Sequence, residues 1–213
     1  MVAAVDLGPS ICYNYVNPKM KMLTRFTVLL FATLSFASSA FAAPRRMPTR
    51  SEIQQHNDLV QVVRSTGTQV FVNHPVCEDT GADGMYYAGP NVLVICQDNA
   101  KQAKKFDGKE VAWTYNDLDT IRHEAQHMIQ DCVAGFHNGN LKPMFSDDER
   151  AEFARAALGD DMVNRIAYTY SRNGASREVI ELEFEAFSVA AVVAPYYIAE
   201  AVVKACPTPF SKS

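Results

Sequence analysis

His123-Glu124-Ala125-Gln126-His127 sets two imidazoles four residues apart, with a carboxylate directly after the first. On an α-helix this spacing stacks both rings on one face, where their nitrogens can share a Zn²⁺ ion. Glu124 is then placed as the general base that takes a proton from a metal-activated water and passes it to a leaving amine. The chemistry such a trio supports is hydrolysis. Between Thr120 and Ile129, Arg122 is the only charged residue outside the motif, as a buried metal helix requires. Leu118, Ile121, Ala125, Met128 and Cys132 recur at spacings of three and four and form an apolar stripe, with the histidines roughly opposite. Asn116, with Asp119 in the first turn, predicts the helix start, and the segment reads as a helix of about four turns.

The elements that must position this helix are short. Thr49-Arg50-Ser51-Glu52 is a capping box that opens a helix carrying Ile53, Leu59, Val60 and Val63, closed by Gly67. Val70-Phe71-Val72 reads as a strand, residues 77–84 as turn-rich chain, and residues 85–96 as two strands joined at Gly89-Pro90-Asn91. Val92 to Cys96 is either a core strand or an edge strand on which an extended peptide could pair. After a loop over residues 135–145, Ser146-Asp147-Asp148-Glu149 opens a helix to about Leu158, and a further short helix covers Asp161 to Tyr170. Arg172-Asn173-Gly174 breaks the chain, and Ser176 caps a long final helix from about Arg177 to Lys204. That helix is uncharged between Ala186 and Ala199, which is too short for a membrane span and is interrupted by Pro195. The expected fold is α+β, a short antiparallel or mixed sheet packed on the motif helix and a long C-terminal helix.

Two histidines leave a zinc site incomplete, since a catalytic site usually has three protein ligands and an open position. Met128-Ile129-Gln130-Asp131-Cys132 follows the motif, so no third histidine continues it. The final helix opens with Glu181, Glu183 and Glu185. Glu183 shares its side with Ala186 and Ala190, whose small side chains allow close helix approach, and is the expected third ligand. Glu185 is the alternative, and Glu181 a partner that would orient a histidine. His137, Tyr168 and Tyr170 are candidate donors to a transition-state oxyanion.

The HExxH pentad together with Glu183-Phe184-Glu185-Ala186-Phe187-Ser188-Val189-Ala190 resembles the gluzincin class of zinc metallopeptidases, especially small families with an ExEA-type second motif. The resemblance is confined to these two segments. It implies a small zincin-like domain in which the first Glu of the second motif, Glu183, binds zinc and Glu124 is the base. The chain departs from the pattern at Phe187, where related motifs usually carry Asp or Asn to hold a zinc histidine.

Met20-Lys21-Met22-Leu23-Thr24-Arg25, the apolar run to Ala37 and Ala40-Phe41-Ala42 have the order of a secretory signal peptide, expected over residues 20–42. Residues 1–19 then read as a mis-annotated extension, and residues 43–213 as a single zincin-like metallopeptidase domain, secreted or periplasmic and not inserted in a membrane. Cys77, Cys96, Cys132 and Cys206 form an even set in that domain. Two disulfides are expected, Cys77 with Cys96 and Cys132 with Cys206. With a full-chain charge of −4 and no long basic run, no nucleic-acid partner is expected. The leading expectation is a secreted zinc-dependent peptidase acting on peptide or protein substrates. A zinc amidase acting on a non-peptide or cell-wall amide, and a non-catalytic secreted binding domain, are the competing ones.

Overall fold

Val92–Ile95, four apolar residues in a row, becomes the centre of the sheet in the computed structural model, which describes residues 47–136 and 138–206. The proposed extension, the signal peptide and His137 lie outside the described residues. In chain order the elements are α1 (Arg50–Ser65), β1 (Gln69–Val72), α2 (Val76–Thr80), β2 (Gly84–Tyr87), β3 (Val92–Ile95), α3 (Asp98–Ala103), α4 (Tyr115–Ala134), α5 (Asp147–Arg172), α6 (Arg177–Val192) and α7 (Pro195–Ala205). The sheet order is β1-β3-β2, with β1 parallel to β3 and β2 antiparallel to it. Every β3 side chain is buried, because both faces of the central strand are covered. The segment Val92 to Cys96 is therefore not an edge; β1 and β2 are. The fold is a small α+β domain with a mixed sheet.

Helix α4 carries the HExxH motif through the middle of the domain. It packs on α1, α6, α7 and the sheet, so that Gln126, Gln130 and Asp131 are buried along with Ile121, Ala125, Met128 and Ile129. The sequence suggested one buried face; the structure buries nearly the whole circumference beyond Arg122 and His123. Its start also differs. Thr114, not Asn116, is the N-cap: its hydroxyl accepts from the Asp117 N–H while the Asp117 carboxylate accepts from the Thr114 N–H at 2.8 Å. The other Asp117 oxygen takes the N–H of Asp98 at 2.8 Å, which ties α3 to the root of the motif helix. Gly135 ends the helix with φ 111°, a left-handed conformation that a Cβ disfavours.

The final helix is two helices. Val193 and Ala194 are extended, and Pro195 occupies the first turn of α7, where its missing N–H costs nothing. The residue before a proline avoids helical geometry, which breaks the chain there rather than kinking it. In α5, Gly159 has φ 75° and ψ 158°, so the two helical stretches expected from the sequence meet at this residue. The stretch read as turn-rich contains the short helix α2, and α3 is a second short helix not foreseen.

Both expected disulfides are present. Cys77–Cys96 joins α2 to the end of β3, and Cys132–Cys206 joins the last turn of α4 to the residue after α7. Such bonds fit an oxidising, extracytoplasmic compartment. Among the described residues no helix is long and apolar enough to cross a membrane.

Candidate metal centre

Helices α4 and α6 pack side by side and bring His123, His127 and Glu183 together, with one ligand atom of each within 4.8 Å of the others. The two Nε2 atoms are 3.0 Å apart, and Glu183 reaches them with Oε2 at 3.3 Å from His123 and Oε1 at 3.4 Å from His127. Ala186 and Ala190, both buried on α6, leave the room for this approach. Two imidazole nitrogens and a carboxylate are the donor types zinc takes, and three protein ligands leave one position for chemistry. The set fits a divalent cation.

The electrostatics follow from burial and proximity. Burial alone would lower the His127 pKa, but the hydrogen bond and charge of Glu183 outweigh it and push His127 up to about 9. Glu183 is correspondingly held well below the usual carboxylate range: burial works against this, and the two histidines prevail. Glu124 is buried, and desolvation raises its pKa against the pull of His123 and His127. Tyr170 donates its hydroxyl to Glu183 Oε2 at 2.8 Å, and burial followed by the Glu183 charge keeps the phenol protonated.

The remaining candidates separate clearly. Tyr168 is 66 % exposed and does not line the cleft beside the cluster. Among the described residues Glu181 bonds no histidine; it pairs with Arg150 at 2.9 Å and with Arg177 at 2.7 Å. Glu185 lies outside the cluster and binds Gln126, Gln130 and the backbone of Met144 and Phe145 instead. Gln130, unnoticed in the sequence, faces His127 Nδ1 with its amide oxygen at 2.8 Å. Phe187 packs edge-on against the His123 ring with centroids 4.4 Å apart, and His123 Nδ1 has no hydrogen-bond partner among the described residues. Aromatic packing thus stands where the resembling motifs have a hydrogen bond.

A cleft of about 290 Å³ opens beside the cluster, lined by Asp83, Gly84, His123, Glu124, Tyr170 and Phe187 among others. Strand β2 forms its lip. Cys96 N–H donates to Asp83 O at 2.8 Å, which continues the β2–β3 register by one pair. In an antiparallel ladder the next residue turns both peptide groups outward, so Gly84 presents its N–H and C=O to the open edge. Gly84 also lies against α4. A Cβ placed there would stand 2.5 Å from Thr120 Cγ2 and 2.9 Å from Glu124 Cγ. The Thr120 rotamer is held by a 2.8 Å hydrogen bond to Asn116 O, so the methyl cannot turn away without losing it. Gly84→Ala is therefore expected to destabilise the protein by about 1–3 kcal/mol. Denaturant unfolding checks this, and an unchanged midpoint would show that the strand stands off the helix.

The fold and cluster define a small α+β domain built around a His-His-Glu centre. The family model described as a domain of unknown function, DUF8637, matches residues 49–198, and the chain belongs to that family. The matched stretch includes the HExxH helix and Glu183. No curated protein and no solved structure matches the chain.

Proposed function

We propose that the chain is an extracytoplasmic zinc-dependent peptidase of gluzincin type. The observation that carries this reading is the convergence of His123, His127 and Glu183 beside a buried Glu124 in an open cleft. When bound by these three residues, Zn²⁺ supplies the Lewis acidity that activates a water and polarises a carbonyl. Glu124 accepts the water's proton and returns it to the leaving amine; its raised pKa suits a group that must both take and give a proton. Tyr170, held protonated, stands beside the cleft; its one O–H serves Glu183 in the metal-free chain and turns from that carboxylate to donate to the developing oxyanion. The outward peptide groups of Gly84 favour a peptide over other amides, because an extended backbone can pair with the β2 edge and lie across the cleft. The signal-like N-terminal sequence and the two disulfides support a site outside the cytoplasm.

Calorimetric titration of residues 43–213 with zinc, in buffers of different ionisation enthalpy, tests the metal. One zinc per chain is expected. His127, with its pKa pushed up to about 9, carries a proton at neutral pH that the metal must displace. Binding should release roughly one proton from it, and apparent affinity should rise about tenfold per pH unit from roughly 7 to 9. Glu183→Ala should abolish tight binding, and the loaded protein should cleave a mixed peptide library. Absence of stoichiometric zinc, or an intact library, would sink the proposal.

A further inference from the structure

Glu185 is completely buried yet has no cationic partner among the contacts its carboxylate makes. Oε1 accepts from Gln126 Nε2 at 2.7 Å and Gln130 Nε2 at 3.0 Å, while Oε2 accepts from the N–H groups of Met144 at 3.0 Å and Phe145 at 3.2 Å. Four N–H donors satisfy both oxygens of the buried carboxyl group, although an apolar side chain would fill the same space at lower cost. The arrangement around it is directional. Gln126 and Gln130 sit one turn apart on α4, on either side of His127 in sequence. Gln130 also gives its amide N–H to Leu182 O at 3.1 Å. The Leu182 carbonyl can only accept, so the atom that faces it, and Glu185 Oε1 beside it, is the amide nitrogen. The amide oxygen must then face His127 Nδ1, 2.8 Å away, and an oxygen there requires a hydrogen on Nδ1.

We infer that Glu185 is a positioning residue and not a metal ligand: through Gln130 it holds neutral His127 in the Nδ1–H tautomer, with Nε2 bare toward His123 and Glu183. Its second oxygen fastens the chain at Met144 and Phe145 to the same point, so the segment between α4 and α5 is docked against the metal helix by the same carboxylate. The purpose of the device rests on the peptidase reading. The tautomer itself is a property of the metal-free protein and can be measured without it.

Nitrogen-15 NMR of the histidine rings in metal-free residues 43–213, followed upward in pH until the His127 shifts stop moving and the ring is neutral, reads the tautomer directly. Zinc affinity is measured in parallel by competition with a chromophoric chelator. Glu185→Gln replaces an acceptor-only group by one that brings two more donors into a ring of donors, so the Gln130 amide loses its fixed orientation. The variant should show mixed His127 tautomers and bind zinc about 10–100-fold more weakly. Gln130→Met, which leaves the Met144 and Phe145 bonds in place, should produce the same tautomer change and guards against a folding failure of the first variant. A His127 ring that stays Nδ1–H in both variants overturns the inference. So does complete loss of zinc in Glu185→Gln with retention in Glu183→Gln, since that makes Glu185 the ligand. If the wild-type protein binds no zinc, the peptidase reading falls, while the tautomer comparison still decides this one.

Discussion

Glu124→Gln is expected to lower kcat by about 10²–10⁴-fold, the usual worth of a positioned acid–base group, while zinc content stays at the wild-type level. The substitution keeps the shape of the side chain and removes only its ability to hold a proton. Shape matters at this position, because Glu124 is buried and Gly84 on the edge strand has no Cβ so that β2 can pass close to it. In the proposed reading metal retention follows from geometry: the candidate ligand atoms are on His123, His127 and Glu183, and Glu124 is not one of the cluster. If the carboxylate acts only in the transition state, KM should move little while kcat and kcat/KM fall together. Steady-state kinetics with zinc measured on the same sample checks both halves. Unchanged turnover would remove Glu124 from the mechanism, and loss of zinc would show that it coordinates.

The local parts of this molecule were legible because local spacing causes them. Two histidines at i and i+4 lie on one helical face whatever surrounds them, and the capping boxes at Thr49 and Ser146 open their helices through contacts within one turn. The disulfide partners were legible for a related reason, since one pair is close in sequence and the other follows from placing the final helix behind α4. The short helices α2 and α3 were not visible. Helices of that length do not stand on propensity; α3 is anchored by Asp98 N–H on Asp117, and its neighbouring chain by Asn73 bonding Gln97 at 2.8 Å and Lys109 O at 2.7 Å. Strand order was equally hidden, because β2 and β3 are joined by a tight turn and either could have been the edge.

The acidic stretch of α6 shows where pattern reading reaches its limit. Glu183 and Glu185 differ by about 200° around a helix, and a one-sided amphipathic helix would expose one of them. Here both sides are covered, Glu183 by the histidines and Glu185 by glutamines and the chain at Met144. Small-residue spacing pointed to Glu183, and the packing of α4 on α6 places it in the cluster. The role of Gln130 could have been suspected from its position three residues after His127, on the same side of the helix. Tyr168 and Tyr170 are separated by the same two-residue rotation that separates the glutamates: one faces solvent and the other touches Glu183.

Loss of the Cys132–Cys206 bond is expected to be the most destabilising change outside the metal cluster. Its partners are 74 residues apart in sequence, against 19 for Cys77–Cys96. On the chain-entropy account a cross-link stabilises by restricting the unfolded chain, and the longer loop is worth about 4.5 kcal/mol against about 3 kcal/mol for the shorter. Geometry adds to the difference. Cys132 is in the last turn of α4, next to Asp131, whose carboxylate accepts the Tyr86 hydroxyl at 2.7 Å, and Cys206 is the residue at which α7 ends. Without the bond, α7 is held to the domain chiefly by its packing on α1 and α4. The paired replacement of Cys132 and Cys206 by alanine should therefore lower the unfolding free energy more than replacement of Cys77 and Cys96, as read by denaturant titration. Excess zinc should recover part of the loss, because a ligand that binds only the folded state stabilises it by mass action. The reverse order of the two double variants would mean that the Cys77–Cys96 bond, and the α2–β3 corner it closes, governs stability instead of the anchoring of α7 to the motif helix.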